Sequence, residues 1–279
     1  GIIFLGIRLS FSDFIKFGSI AIPLIIICIL GVLILVKLLI KKVPISSKMS
    51  YLIAIGTSVC GATAIVATAP VINAKKSEVA YAIANITLFG VIAMLVYPYF
   101  AEWYFDGAAL NAGLFLGTSI HETSQVAAAG LIYDQQFNSP ETLDAATVTK
   151  LIRNTFLVIL IPLFAFLYNR GELKGQSYSI LSIFPYFVLG FIGMIIVRNI
   201  GDQLFPLGSN NHEMWVNLIS YLKTLATVFL TMAMAAVGIS INLGELKSMG
   251  YKPFVVGLIA AITVGIISLI YIETLNKFI

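Results

Sequence analysis

The chain has 279 residues, 59% of them hydrophobic and 11% charged, with a formal net charge of +4. Soluble domains run at about 25% charged residues, so this composition excludes an ordinary soluble enzyme, and the 12% aromatic content excludes a disordered chain. The basic residues fall in short clusters between apolar runs, which excludes nucleic acid as a partner and makes the lipid bilayer the surrounding medium.

Nine apolar segments follow in chain order, at about 1–12, 18–40, 51–73, 79–101, 108–133, 150–169, 180–201, 217–242 and 253–272. Most have the length and low charge of a spanning helix, and helix is the form because backbone in lipid must satisfy its own hydrogen bonds. Gly1 to Ser10 reads as the second half of such a helix, so the chain is expected to start inside a membrane segment. Cys28 and Cys60 lie in apolar and small-residue runs without metal-ligand spacing and read as buried small residues.

Two segments are unlike lipid-facing helix. The segment 51–73 carries Gly56, Thr57, Ser58, Cys60, Gly61, Thr63, Thr68, Pro70 and Asn73, and 108–133 carries Asn111, Gly113, Gly117, Thr118, Ser119, His121, Glu122, Thr123, Ser124 and Gln125. Such residues suit broken or re-entrant helices lining a polar cavity. Loop charge agrees. Lys41, Lys42 and Lys48 precede the first odd segment and Lys75 and Lys76 follow it, so both its ends fall on the cytoplasmic face. Glu102 and Asp106 precede the second, and Asp134, Glu141 and Asp144 follow it without Lys or Arg, so both its ends fall outside. Arg8, Lys150, Arg153, Arg198 and Lys223 are placed near helix ends, where they weaken this bias without reversing it.

The chain also matches itself weakly. Gly6 to Phe14 resembles Gly238 to Leu246, and Gly56-Thr57-Ser58 resembles Gly117-Thr118-Ser119. Only re-entrant odd segments make every matched pair inverted. The expected fold is therefore an all-α polytopic membrane protein, an inverted-repeat secondary transporter with two broken or re-entrant helical segments. It forms one transmembrane domain, with an incomplete first half-repeat at 1–104 and a second at 105–279. An equivalent of 180–201 is expected ahead of residue 1.

The run from Gly117 to Val126 holds the residues best suited to chemistry. An ionisable pair in an apolar segment reads as functional, and His121 and Glu122 can hold or share a proton. On a continuous helix, Thr118, His121 and Gln125 would form a polar stripe. Substrate or proton binding at a hairpin tip is one reading; a hydrogen-bonded clip holding the tip is the other. His121 to Gln125 falls one residue short of a zinc-protease motif, because Gln125 stands where the second His is required. In the first odd segment Thr57, Ser58, Cys60, Gly61 and Thr63 suit either close backbone approach to an anion or tight helix packing. Arg153 either faces the cavity, pairing with Glu122 or attracting an anion, or snorkels to head groups. Gly113 and Gly117 form a GxxxG, a sign of close packing.

At these stretches the chain resembles the YeiH-type sulfate exporter family. The resemblance is carried by Gly6-Ile7-Arg8-Leu9-Ser10, by Val59-Cys60-Gly61-Ala62-Thr63-Ala64-Ile65, by Ser119-Ile120-His121-Glu122-Thr123-Ser124-Gln125 with the residues to Gly130, and by Lys150-Leu151-Ile152-Arg153-Asn154. The resemblance implies a relation to the sodium/proton antiporter and bile-acid symporter superfamily, two inverted halves, and a sulfur oxyanion as cargo.

The functional expectation is a secondary active transporter of a small anion, sulfate or a related sulfur oxyanion or sulfonate. It would work by alternating access with H+ or Na+ as coupling ion, in the plasma membrane of a bacterium, with a homodimer as a further possibility. No cofactor, metal or enzymatic activity is expected. The alternative is an anion channel or passive pore lined by the same segments.

Overall fold

The structure is a computed structural model and describes residues 2–8, 10–172, 187–209, 211–239 and 250–277. No strand occurs among them. The helices are α1 (Ile2–Leu5, continued by a 3-10 turn over Gly6–Arg8), α2 (Phe11–Ile40), α3 (Ser47–Ser58), α4 (Ala62–Thr68), α5 (Lys76–Phe105), α6 (Ala109–Ser119), α7 (Thr123–Phe137), α8 (Pro140–Thr155), α9 (Leu157–Glu172), α10 (Phe187–Leu204), α11 (His212–Ile239) and α12 (Lys252–Asn276). Among the described residues four stretches are long and apolar enough to cross a membrane: Gly18–Ile40, Lys76–Phe105, Pro140–Phe164 and Lys252–Leu275.

Both odd segments are broken, and each folds back as a hairpin. In the first, Lys48 Nζ at the start of α3 donates to Asn73 O beyond the end of α4 at 2.7 Å. Ser46 Oγ, the cap of α3, donates to Glu78 in the first turn of α5 at 2.5 Å. Entry and exit therefore lie together. In the second, α6 runs alongside α8, with Gly113 against Thr142 and Ala145 and Gly117 against Ala146 and Thr149. By contrast α7 runs against α8, with Gly130 on Leu143 and Thr123 Oγ1 accepting from Asn154 Nδ2 at 3.1 Å. So α6 and α7 are antiparallel, flanking the helix that follows them.

Helix α5 measures the separation of the two hairpins. Its 30 residues span about 45 Å. The base of the first hairpin lies at its start and the base of the second just past its end, while Ile86 and Thr87 in its interior touch both tips. Alongside it lies α12 in the same direction, held by Tyr81 Oη to Gly250 O at 2.7 Å, Asn85 Nδ2 to Pro253 O at 2.9 Å and Tyr104 Oη to Glu273 at 3.0 Å. A smaller group, α1 with its 3-10 turn, α10 and α11, closes around Ile7, Trp215 and Ile219, with Ile195 touching both it and the main core.

The structure corrects one boundary with consequences for the site. The loop expected at 134–144 is only a turn at Asn138 and Ser139, because Pro140 opens α8 in the first-turn position where its missing N–H is harmless. The segment expected at 150–169 thus begins ten residues earlier, and Lys150 and Arg153 lie in the interior of the 25-residue spanning stretch Pro140–Phe164 rather than at its start. Residues 240–246 of the internal match fall outside the described residues.

The GxxxG pair sets the spacing of α6 on α8: a Cβ at Gly117 would lie 2.7 Å from Ala146 O and 2.7 Å from Thr149 Cβ. Backbone cannot swing aside as a side-chain tip can. Gly117→Ala should lower stability by about 1–3 kcal/mol, read as a lower midpoint of thermal unfolding in detergent. Gly193→Ala, in open space, should hold the midpoint or raise it slightly.

Candidate functional site

The breaks create the site. In the first, Gly61 has φ +63° and ψ −127°, a backbone setting that side chains disfavour, and its N–H closes the turn onto Gly56 O at 2.9 Å. In the second, Ile120 and Glu122 are extended. Breaking a helix leaves orphan carbonyls on one side of the gap and orphan N–H groups on the other, with partial negative and positive charge respectively. No water is available in lipid to satisfy either set.

Two cations from α8 satisfy the carbonyl ends. Lys150 Nζ donates to Val59 O at 2.9 Å and to Ile120 O at 2.8 Å. Arg153 Nε donates to Ser58 O at 2.7 Å, while its Nη1 and Nη2 donate to Thr118 O and Thr57 O. Spaced three apart, the two side chains share a face of α8, and both are 0% exposed. Each cation therefore bonds to both broken segments and ties their tips together. Among the described residues the one ion pair is Arg198 with Asp202, so neither buried cation has a carboxylate in contact.

Glu122 serves the N–H end of the first break. Its carboxylate accepts from Thr87 Oγ1 at 3.1 Å and hydrogen-bonds with the backbone of Ala62 at the start of α4. Gly61 makes this approach possible, since a Cβ there would lie 2.7 Å from Glu122 Cγ. Gln125 spends its amide on the same junction, accepting from Glu122 N at 3.4 Å and donating to Thr87 O at 3.2 Å.

The remaining candidates divide into anchored and unpartnered groups. Thr118 Oγ1 bonds Leu114 O and Ser268 on α12, each at 2.7 Å, and the Cys60 thiol bonds Thr63 and the Ala64 backbone. In contrast Thr57 Oγ1, Ser58 Oγ, Ser119 Oγ and His121 Nδ1 are buried without a partner, as are Thr149 Oγ1 and Asn154 Oδ1 on α8. Buried polar atoms are nearly always paired, so this concentration at the two tips is unusual.

Three sequence expectations change here. The stripe of Thr118, His121 and Gln125 does not form, because the helix breaks between the first and last of them. Arg153 neither snorkels nor pairs with Glu122; it is buried on carbonyls. Lys150, placed near a helix end from sequence and left out of the candidate site, is as central as Arg153. The i, i+3 spacing of two cations in one apolar neighbourhood was the available signal.

The family profile described as conserved hypothetical protein 698 matches residues 1–257. A UPF0324 membrane protein of Fusobacterium nucleatum is 34% identical over 273 residues, covering 96% of this chain and 78% of that protein. One from Streptococcus agalactiae is 36% identical over 268 residues, covering 95% and 76%, and one from Yersinia pestis is 33% identical over 269 residues, covering 93% and 70%. These names state a membrane protein and no substrate. No solved structure matches the chain.

Removing the guanidinium strips three carbonyls of their donors at once. At about 1–3 kcal/mol for each buried group left unsatisfied, Arg153→Met should lower stability by about 3 kcal/mol or more. Arg153→Lys should fall between it and wild type, since an ammonium keeps the charge but not the fork. Unfolding midpoints of the two variants in one detergent check the order; equal midpoints for Met and wild type would remove the anchoring role.

Proposed function

The chain is a multi-pass membrane protein of the UPF0324 family, matching the profile for conserved hypothetical protein 698, and we propose that it is a secondary active transporter of a small anion. The observation that carries this reading is the pair of buried, carboxylate-free cations, Lys150 and Arg153, at the meeting of two broken helices. Ionisable side chains at membrane depth mark substrate paths, and broken helices meeting inside the bilayer are the usual seat of a carrier's binding site.

Charge and donor chemistry support an anion. The two carbonyl ends and the two N–H ends, at about half a charge each, cancel. Lys150 and Arg153 against Glu122 then leave a net charge of about +1 in a medium where Coulomb attraction is poorly screened. Thr57, Ser58 and Ser119 supply unpartnered hydroxyls, and His121 an unpartnered ring nitrogen. An oxyanion uses donors of this kind. Sulfate, sulfite or a small sulfonate is the cargo we propose, on the likeness to the sulfate exporter family.

The hairpins also suit alternating access. Their bases lie at opposite ends of α5 and their tips meet along it, which supports a reading of the chain as two inverted halves. The smaller group of α1, α10 and α11 gives the larger one a second body against which to rock.

In proteoliposomes the purified protein should take up labelled sulfate, sulfite or a small sulfonate with saturation, and exchange it against the same anion on the other side. His121→Ala removes one donor to a charged ligand, worth about 1.5–3 kcal/mol, and should lower uptake at low substrate about tenfold or more in a folded sample. Flux that never saturates and ignores the trans anion would establish a passive pore instead; wild-type uptake by His121→Ala would remove that residue from the site.

A further inference from the structure

The coupling ion can be argued from what already fills the two breaks. A sodium ion in a broken-helix site is held by the carbonyls that the break releases. Here five of those carbonyls are spent: Thr57, Ser58 and Val59 from one tip, and Thr118 and Ile120 from the other, accept from Lys150 or Arg153. Two fixed cations occupy the place of a mobile one, and a third positive charge beside them would be strongly repelled.

The same cations make a proton the natural partner of an anion. The site is about +1 with Glu122 ionised and about +2 with Glu122 neutral, so a dianion leaves an uncompensated negative charge in the first state and none in the second. We infer that Glu122 is the proton-binding site of the carrier, and that one proton enters with each divalent oxyanion while sodium plays no part. This rests on the reading of the chain as an anion carrier. The step is simple: the Glu122 carboxylate takes one proton to become the neutral acid when the dianion binds, and returns it when the dianion leaves.

The neighbours of Glu122 single it out. The charged group that faces it is Lys150 from α8, with His121 next to it in its own break and Cys60 next to Gly61 in the other. Its contacts on α5 and α4 are Thr87, Gly61 and Ala62, none of which titrates. A proton on His121 would add a third positive charge beside the two cations. The Cys60 thiol is 4% exposed and bonded to Thr63. Glu122 alone is a carboxylate and only partly buried, so protons reach it. Its protonation also weakens the hold on the first turn of α4, which ties proton binding in one break to the shape of the other.

Labelled sulfate, divalent across the working range, is the probe, in proteoliposomes with the membrane potential clamped to zero. Wild type should accumulate it about tenfold per pH unit of imposed gradient, acidic on the loading side, should carry protons inward with it as reported by a lumenal pH dye, and should ignore a sodium gradient. Glu122→Gln should exchange sulfate at a rate independent of pH and fail to accumulate it against a gradient. Accumulation driven by sodium, or proton-driven accumulation retained by Glu122→Gln, overturns the inference while leaving the carrier intact. Absence of any anion flux in wild type overturns the carrier reading and this inference with it. Should Glu122→Gln not assemble, proton entry with sulfate in wild type decides, since sulfate entry without protons is equally fatal.

Discussion

Everything at the centre of this protein depends on two cations donating to backbone carbonyls. A helix broken in lipid exposes groups that water would otherwise satisfy, and two such breaks brought together double the number. Lys150 and Arg153 resolve the carbonyl half with five hydrogen bonds from one face of one helix. The bonds are shared across the tips, so neither hairpin is held without the other. The buried charges are in turn tolerable only because the carbonyl ends provide the negative field that a carboxylate would otherwise supply. Breaks and cations are each other's condition.

The surrounding helices follow from that centre. To place two cations between two tips, α8 must lie close along the second hairpin, and the small residues of α6 bring it there. To bring the first tip to the same point, α5 must carry one hairpin base at each end and admit both tips along its length, which Ile86 and Thr87 do. Glu122 completes the junction from the other side. Five carbonyls of the tips are bound by fixed cations and the first turn of α4 by the Glu122 carboxylate, so the tips are cross-linked by polar bonds as well as by the apolar core they share.

Much of this was legible in the sequence, and the misreadings have one physical source. Glycines and hydroxyls at Gly56–Ser58 and Gly117–Ser119, flanked by loop charges of matching sign on each side, were enough to place both breaks and to turn both segments back on themselves. What hydropathy could not see was α8, whose first half runs Thr, Leu, Asp, Ala, Ala, Thr, Val, Thr after Pro-Glu. That half faces other helices rather than lipid, so it has no need of a long apolar run, and its composition resembles a loop. Missing ten residues of helix moved Lys150 and Arg153 from the middle of an element to its edge. At an edge a cation reads as an anchor to head groups; in the middle it needs an acceptor. The acceptors were backbone carbonyls, which carry no sequence signature.

The unpartnered groups at the tips complete the physical case. Thr57 Oγ1, Ser58 Oγ, Ser119 Oγ and His121 Nδ1 are buried and idle, each at a cost of about 1–3 kcal/mol if nothing ever meets it. An apolar side chain of similar size would avoid that cost. The carbonyls of Thr57 and Ser58 accept from Arg153, so the hydroxyls of those residues are not needed to hold the backbone. Fixed interactions account for five carbonyls of the two tips and leave these side chains over. The parts of the site bound by the protein itself are those that must keep their shape, and the parts left unbound are those that can meet a ligand.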